Sequence, residues 1–414
     1  MPAASPTHTV GGDGAYRRVL KCYYLAHFWY DFIFAYAIYT VYFSLRGMSV
    51  LDISLLLSWW SITSMALEVP SGALADTWSR RKLLVLAPLI KLLCFVAWFF
   101  AKGQFWLFAL GFLLWSLGSS LRSGTSEALL YDTLVHHGRR EEYEKALGRR
   151  EFYFHLGLAI SMVTGGVIAS YRMDWAILFS VAPLLLSAFF ALRLEEPPKV
   201  ESTGEVRYLE HLRLAFREIR SNRALLYLMI ALWGLSVFGV LEEFDQLYYR
   251  LVGLPIPMFG VVAFVGSLLA ALAARVAYRL KGRRWALYLL PLTSAALLVP
   301  VWRYPSLPMI GVLVVSCAIT TPALVLMDSR LQHSIRGVSR ATVTSAVSLL
   351  LELPVRNLAF GLIGTLWNLQ AIYLAGALLL FALSVWAFVV RKQMNLMVAE
   401  DQAENETGKH ASVP

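Results

Sequence analysis

The chain of 414 residues is 58% hydrophobic and only 15% charged, with a formal net charge of +10, whereas a soluble domain carries about a quarter of its residues charged. That balance excludes an ordinary soluble enzyme and makes the lipid bilayer the first expected partner. A basic excess could suggest nucleic acid, but its distribution along the chain matters more than its sum, and no nucleic-acid partner is expected.

A hydrocarbon core about 30 Å thick takes about 20 apolar residues per helix. Twelve runs meet that length, near 19–45, 50–75, 83–102, 104–133, 152–171, 173–193, 224–250, 256–278, 285–302, 308–328, 341–365 and 369–390. The first sixteen residues are polar and lack a basic leader ahead of a short apolar core, so 1–16 reads as a disordered cytoplasmic end and not as a cleaved signal. With the N-terminus placed inside, Arg46, Lys102, Arg172, Arg250 and Arg303 fall outside and Lys91, Arg122, Arg275 and Arg356 within spans. The remainder of the 37 Lys and Arg is inner. A multi-pass protein of the cytoplasmic membrane with both termini in the cytoplasm is therefore expected.

An ionisable group at membrane depth is costly, so each one is a functional candidate with a partner to find. In the first span, Asp31 lies among aromatics in AHFWYDFIFAYAIY. There it suits a proton, a cationic substrate or a structural hydrogen bond. Glu68 in the second span and Lys91 in the third stand at similar distances from their connecting loop and are expected to pair. The loop itself, GALADTWSRRK, carries Gly72, Asp76, Arg80, Arg81 and Lys82. Gly72 admits a close helix approach. Asp76 is placed to accept from the free amides at the start of span 11, and Arg80 to pair with Asp132 at the inner end of span 4. In span 4, Arg122 and Glu127 are candidates for a substrate cavity, Arg122 either meeting an anionic solute or clamping Asp31. His136 and His137 read as part of a solvated basic loop, and no metal site is expected.

A polar, proline-containing stretch, 194–223, divides the chain into halves at 17–193 and 224–392, followed by a cytoplasmic tail at 393–414. Within the stretch Leu209, Leu212, Phe216 and Ile219 recur at helical spacing between Arg213, Arg217 and Arg220, the pattern of an amphipathic helix on the membrane surface. Late in span 7, Glu242, Glu243 and Asp245 form an acidic group expected at an outer vestibule or solvated rim. Arg275 in span 8 is expected to snorkel. In span 11, Glu352 and Arg356 are four apart and can pair along one face, with Pro354 between them. Cys22, Cys94 and Cys317 lack metal spacing and read as small apolar residues.

The halves repeat weakly. Tyr42 to Met48 resembles Tyr248 to Leu254 at an offset of 206 residues, Ser79 to Lys82 resembles Gly282 to Trp285 at 203, and Thr125 and Asp132 match Thr321 and Asp328 at 196. The order is preserved, as a six-plus-six architecture requires.

Over residues 17 to 392 the chain resembles the major facilitator superfamily of secondary transporters. Gly72, Leu74, Ala75, Asp76, Arg80 and Arg81 match that family's signature between spans 2 and 3, while Thr77 and Ser79 depart from it. Gly157, Gly165 and Gly166 keep the register of a span 5 signature associated with antiporters, but Ser161 and Met162 replace its Gly-Pro. The resemblance implies an all-α membrane protein of twelve transmembrane helices in two pseudo-symmetric six-helix bundles, with no enzymatic activity and no cofactor. It further implies a conformational clasp at Gly72, Asp76, Arg80 and Asp132 that opens during transport. The function expected first is proton-coupled efflux of a small organic solute by alternating access. The alternatives are an uptake or facilitative carrier for a polar or anionic solute and a transport-inactive sensor or scaffold. A monomer with the proton as coupling ion is expected.

Overall fold

A computed structural model describes residues 13–198, 223–281, 283, 285–334 and 354–410. All regular structure among the described residues is helical. The amphipathic helix expected within 194–223, the clasp partner expected at the start of span 11, and Glu352 lie outside them. The helices are α1 (Asp13–Tyr30), α2 (Tyr39–Leu45), α3 (Val50–Thr77), α4 (Arg80–Phe100), α5 (Phe105–Arg122), α6 (Thr125–His136), α7 (Tyr143–Tyr171), α8 (Met173–Phe179) and α9 (Val181–Ala191). After the linker come α10 (Arg223–Leu235), α11 (Val237–Leu251), α12 (Pro257–Val276), α13 (Ala286–Arg303), α14 (Leu307–Ser334), α15 (Pro354–Leu366) and α16 (Ala371–His410).

Ten segments of the described residues are long and apolar enough to cross a membrane. The two expected runs missing from that set have plain reasons. Span 11 is described only from Pro354 onward. Span 1 is interrupted: α1 stops at Tyr30, Ile33 is extended, and a 3-10 turn over Phe34–Ala37 precedes α2. The interruption falls in a run of aromatic and β-branched residues, which lose side-chain freedom in a helix and hold it weakly.

Other spans break as well. Span 4 is cut after Arg122 by Ser123 and Gly124, the latter at φ +68°; span 6 is cut at Ser180, and span 7 at Ser236. Ser236 stands after Tyr30 by the same 206-residue offset that relates Tyr248 to Tyr42. Both repeats therefore interrupt their first helix at one place, a feature associated with binding sites in transporters built from repeats. The last helix, α16, runs unbroken from Ala371 to His410, through most of the expected tail.

Two compact units are present. One comprises Met1–Met48, Trp59–Glu205 and Pro255–Val261; the other comprises Ser49–Ser58, Val206–Leu254 and Val262–Pro414. In the first, α4 packs along α5 and α9, and α1 lies against α7 and α9. In the second, α13 packs on α14 and α16, and α10 on α14 and α16. Bulky apolar side chains such as Phe100, Trp106, Leu378 and Val389 stay largely exposed, as expected of surfaces covered by lipid tails.

The break in span 1 is seated by glycines of α7. A Cβ on Gly165 would come within 2.2 Å of the Phe34 carbonyl oxygen, and one on Gly157 within 2.6 Å of that of Phe28. The span 5 glycines thus serve close backbone approach within this unit. Gly165→Ala forces the Phe34 backbone to move and is expected to destabilise the protein by about 1–3 kcal/mol. Thermal unfolding in detergent checks this, and an unchanged midpoint would show that the contact is not constraining.

Candidate functional site

Ending α1 at Tyr30 leaves backbone groups that need partners at membrane depth. One is met by a side chain, because the Ala35 amide donates to Ser180 Oγ at 3.1 Å. Ser180, at the break in span 6, in turn donates to the Ala176 carbonyl at 2.7 Å.

Asp31, the first residue beyond α1, is the centre of a charged cluster. Its Oδ1 accepts from Lys91 Nζ at 3.0 Å and from the Tyr36 hydroxyl at 2.9 Å, and its Oδ2 accepts from Arg122 Nη1 at 2.9 Å. Lys91 Nζ also donates to the Tyr36 hydroxyl at 3.0 Å. The Tyr30 ring lies near both cations, with Lys91 Nζ 4.2 Å and Arg122 Cζ 4.1 Å from its centroid. The Trp115 ring centroid is 5.0 Å from Lys91 Nζ. These are distances at which aromatic faces attract cations. The side chain of Lys91 is 1% exposed and that of Arg122 20%, so Lys91 is the buried anchor and Arg122 the accessible edge.

The expected Glu68–Lys91 pair does not form. Lys91 turns to Asp31, while the described partner of Glu68 is the Ser123 hydroxyl at 3.4 Å. Equal distance from a loop predicts depth in the membrane but not the direction in which a side chain leaves its helix. Glu127 is also outside the cluster. It accepts from Arg150 Nη1 at 3.0 Å, and its side chain is 51% exposed.

At the far end of α1 from Asp31, this unit is laced by polar contacts. Arg80 Nη1 pairs with Asp132 Oδ2. Ser79 caps α4 by accepting from the Lys82 amide at 3.1 Å, which accounts for a serine at that place. Glu196 adds a second cap: its carboxylate accepts from the Ser79 hydroxyl at 2.6 Å and from the amides of Arg80 and Arg81 at 2.9 and 2.8 Å. An acid there satisfies the free amides and the positive end of the helix. Glu196→Ala is expected to cost about 1 kcal/mol at low salt and less at high salt; a salt-independent loss would contradict the electrostatic reading. A Cβ on Gly72 would meet no described atom within 4 Å, so the close approach expected there is absent among the described residues. Asp76 lies within α3, and its side chain is outside the description.

In the second unit, Arg356 Nη1 donates to Ser236 Oγ at 2.6 Å and lies 3.4 Å from the Ser236 carbonyl, at the break in span 7. Asp245 Oδ1 accepts from the Tyr373 hydroxyl at 2.9 Å, and the residue is half-buried. Glu242 is exposed and Glu243 half-buried on the same helix.

Sequence reasoning missed Tyr36 and Glu196. Tyr36 could have been sought at five residues from Asp31. Glu196 carries no signal of its own, since it acts on residues distant in the chain.

A sequence model described as Major Facilitator Superfamily matches residues 22–369. Among curated protein sequences, none matches this chain. Among solved structures, the chain is similar to a bacterial homologue of the human lysosomal transporter Spinster, in an inward-facing and unoccupied conformation. That likeness has a TM-score of 0.72 at 17% identity, covering 94% of this chain and 99% of the other. The nucleoside transporter NupG matches with a TM-score of 0.72 at 14% identity, over 91% of this chain and 99% of its own. A POT family transporter in complex with a thioalcohol-conjugated peptide gives 0.66 at 11% identity, over 91% and 96%. At such identities the likeness is one of fold.

Proposed function

The chain belongs to the Major Facilitator Superfamily, a family of two-bundle membrane transporters rather than enzymes, and from that premise we propose a secondary carrier for small organic solutes bearing an anionic group. The observation that carries this reading is the charge of the Asp31 cluster, in which two cations, Lys91 and Arg122, share one carboxylate. Uncompensated positive charge at membrane depth is costly, and an anionic group on the solute supplies the missing counter-charge. Trp115, Tyr30 and Tyr36 place aromatic surface beside it for an organic body.

The same geometry disfavours a cationic solute, one of the three roles open to Asp31, because both of that carboxylate's oxygens already accept from cations. Arg122 is the solute contact, Lys91 its buried support, and Asp31 the counter-ion that holds the two together. The Arg80–Asp132 pair is proposed as a clasp that breaks and re-forms during alternating access, in a cytoplasmic membrane with both chain ends in the cytoplasm.

Proteoliposomes loaded with pools of small carboxylates and phosphates test the function by counterflow. Exchange of these solutes, absent for size-matched amines and absent in Arg122→Gln, is the expected result. Exchange of amines that survives Arg122→Gln would overturn it.

A further inference from the structure

One helical turn before Asp31, α1 buries a histidine that the cluster does not use. His27 is 3% exposed. Its Nδ1 lies 2.8 Å from the Tyr23 carbonyl oxygen, and its Nε2 lies 2.6 Å from Ser126 Oγ. A carbonyl only accepts, so Nδ1 carries hydrogen, and in the neutral ring Nε2 must accept from the Ser126 hydroxyl. The Tyr23 hydroxyl completes the chain. It is 2.8 Å from Ser126 Oγ and 3.2 Å from the Ser126 carbonyl oxygen, and thus has two acceptors within reach.

That second acceptor lets the network hold an added proton without losing a bond. In the neutral state the Tyr23 hydroxyl donates to Ser126 Oγ, whose hydrogen goes to Nε2. With a proton on Nε2, the ring donates to Ser126 Oγ. The Ser126 hydroxyl then turns to donate to the Tyr23 oxygen, and the Tyr23 hydroxyl turns to the Ser126 carbonyl. One proton is gained at Nε2, two hydroxyls reverse, and every donor keeps an acceptor. A histidine held only for packing has no need of a partner able to reverse in this way, and buried ionisable groups in spans are characteristic of proton relays.

We infer that His27 is the proton-binding group of this carrier, with Ser126 and Tyr23 as the hydroxyl pair that accommodates its charge. Burial acts most strongly on the ring, followed among charged groups by Arg122 at the end of α5, Arg150 on α7 and Asp31 on its own chain segment; α6 contributes Ser126. On α9, Ser187 donates to the Ala26 carbonyl at 2.8 Å. Arg122 opposes a second positive charge beside it. An anion bound at the cluster removes that opposition, so proton and solute favour each other's binding. This coupling rests on the anion reading above, whereas the proton site does not.

The test is nuclear magnetic resonance of the full-length protein in detergent with nitrogen-labelled histidine. The His27 signal is the one lost in His27→Gln, or the one displaced in Ser126→Ala if the first variant does not fold. The inference expects Nε2 of His27 to take up a proton as the pH is lowered, most readily within about pH 5 to 8 once benzoate is bound, with Nδ1 protonated throughout. In Ser126→Ala the midpoint falls, because the charged ring loses the stronger hydrogen bond. A ring whose shifts stay constant across that range, with and without benzoate, overturns the inference. Added benzoate is expected to raise the midpoint, and its own affinity to rise about fivefold or more below it, as linkage requires. A normal titration that benzoate leaves unmoved keeps the proton site and removes the anion reading.

Discussion

Asp31→Asn is expected to cost about 3–5 kcal/mol of stability, the usual consequence of removing one partner from a buried charge pair. The asparagine is nearly isosteric, so the loss reports charge and not shape. Lys91, with 1% of its side chain exposed, would have no anion bonded to it, and Arg122 would lose the same carboxylate. Adding Lys91→Gln to the first variant is expected to recover part of the loss, because the second change removes the stranded charge. Unfolding by denaturant in detergent measures both. A single variant that loses less than about 1 kcal/mol, with the second change merely adding its own cost, would show that the three residues are not energetically coupled.

Arg122→Gln has the largest expected effect on solute binding. A hydrogen bond to a charged group contributes about 1.5–3 kcal/mol, or roughly 10–150-fold in affinity. Because 20% of the Arg122 side chain is exposed, that loss falls mainly on binding, whereas Lys91→Gln is expected to fall mainly on folding. Arg122→Lys should not restore full affinity, since an ammonium cannot present the paired donors of a guanidinium to a carboxylate or phosphate. Equal effects of Arg122→Gln on anionic and neutral solutes would remove the specific role. Comparable folded yields of the variants make the comparison valid.

The apolar spans were legible in the sequence because hydrophobic length is a property of local segments. The resemblance carried by Gly72, Asp76, Arg80 and Arg81 is of the same kind. The ion pair Arg80–Asp132 was open to inference for a related reason, as both residues lie near one end of neighbouring helices. Lys91 was harder. Counting along α3 and α4 places Glu68 at its depth, but Asp31 reaches it from a helix that has just ended, and periodicity within a segment does not report such an interruption. The same limit explains Glu196. In EEPPK it reads as linker, yet its carboxylate closes the start of α4 more than a hundred residues earlier in the chain. Gly157 and Gly165 were noticed as remnants of a signature; the carbonyls of Phe28 and Phe34 packed against them supply their physical purpose.

The central claim is that the Asp31–Lys91–Arg122 cluster receives an anionic group, and thermal unfolding of the purified protein with size-matched ligands tests it most directly. Small carboxylates, amines and alcohols sharing one carbon framework are compared on the wild-type chain and on Arg122→Gln. At about 100 times its dissociation constant a ligand stabilises the folded state by roughly 2.7 kcal/mol. Stabilisation by the carboxylates alone, lost in Arg122→Gln, is the predicted result; stabilisation by the amines, unchanged in that variant, would contradict it.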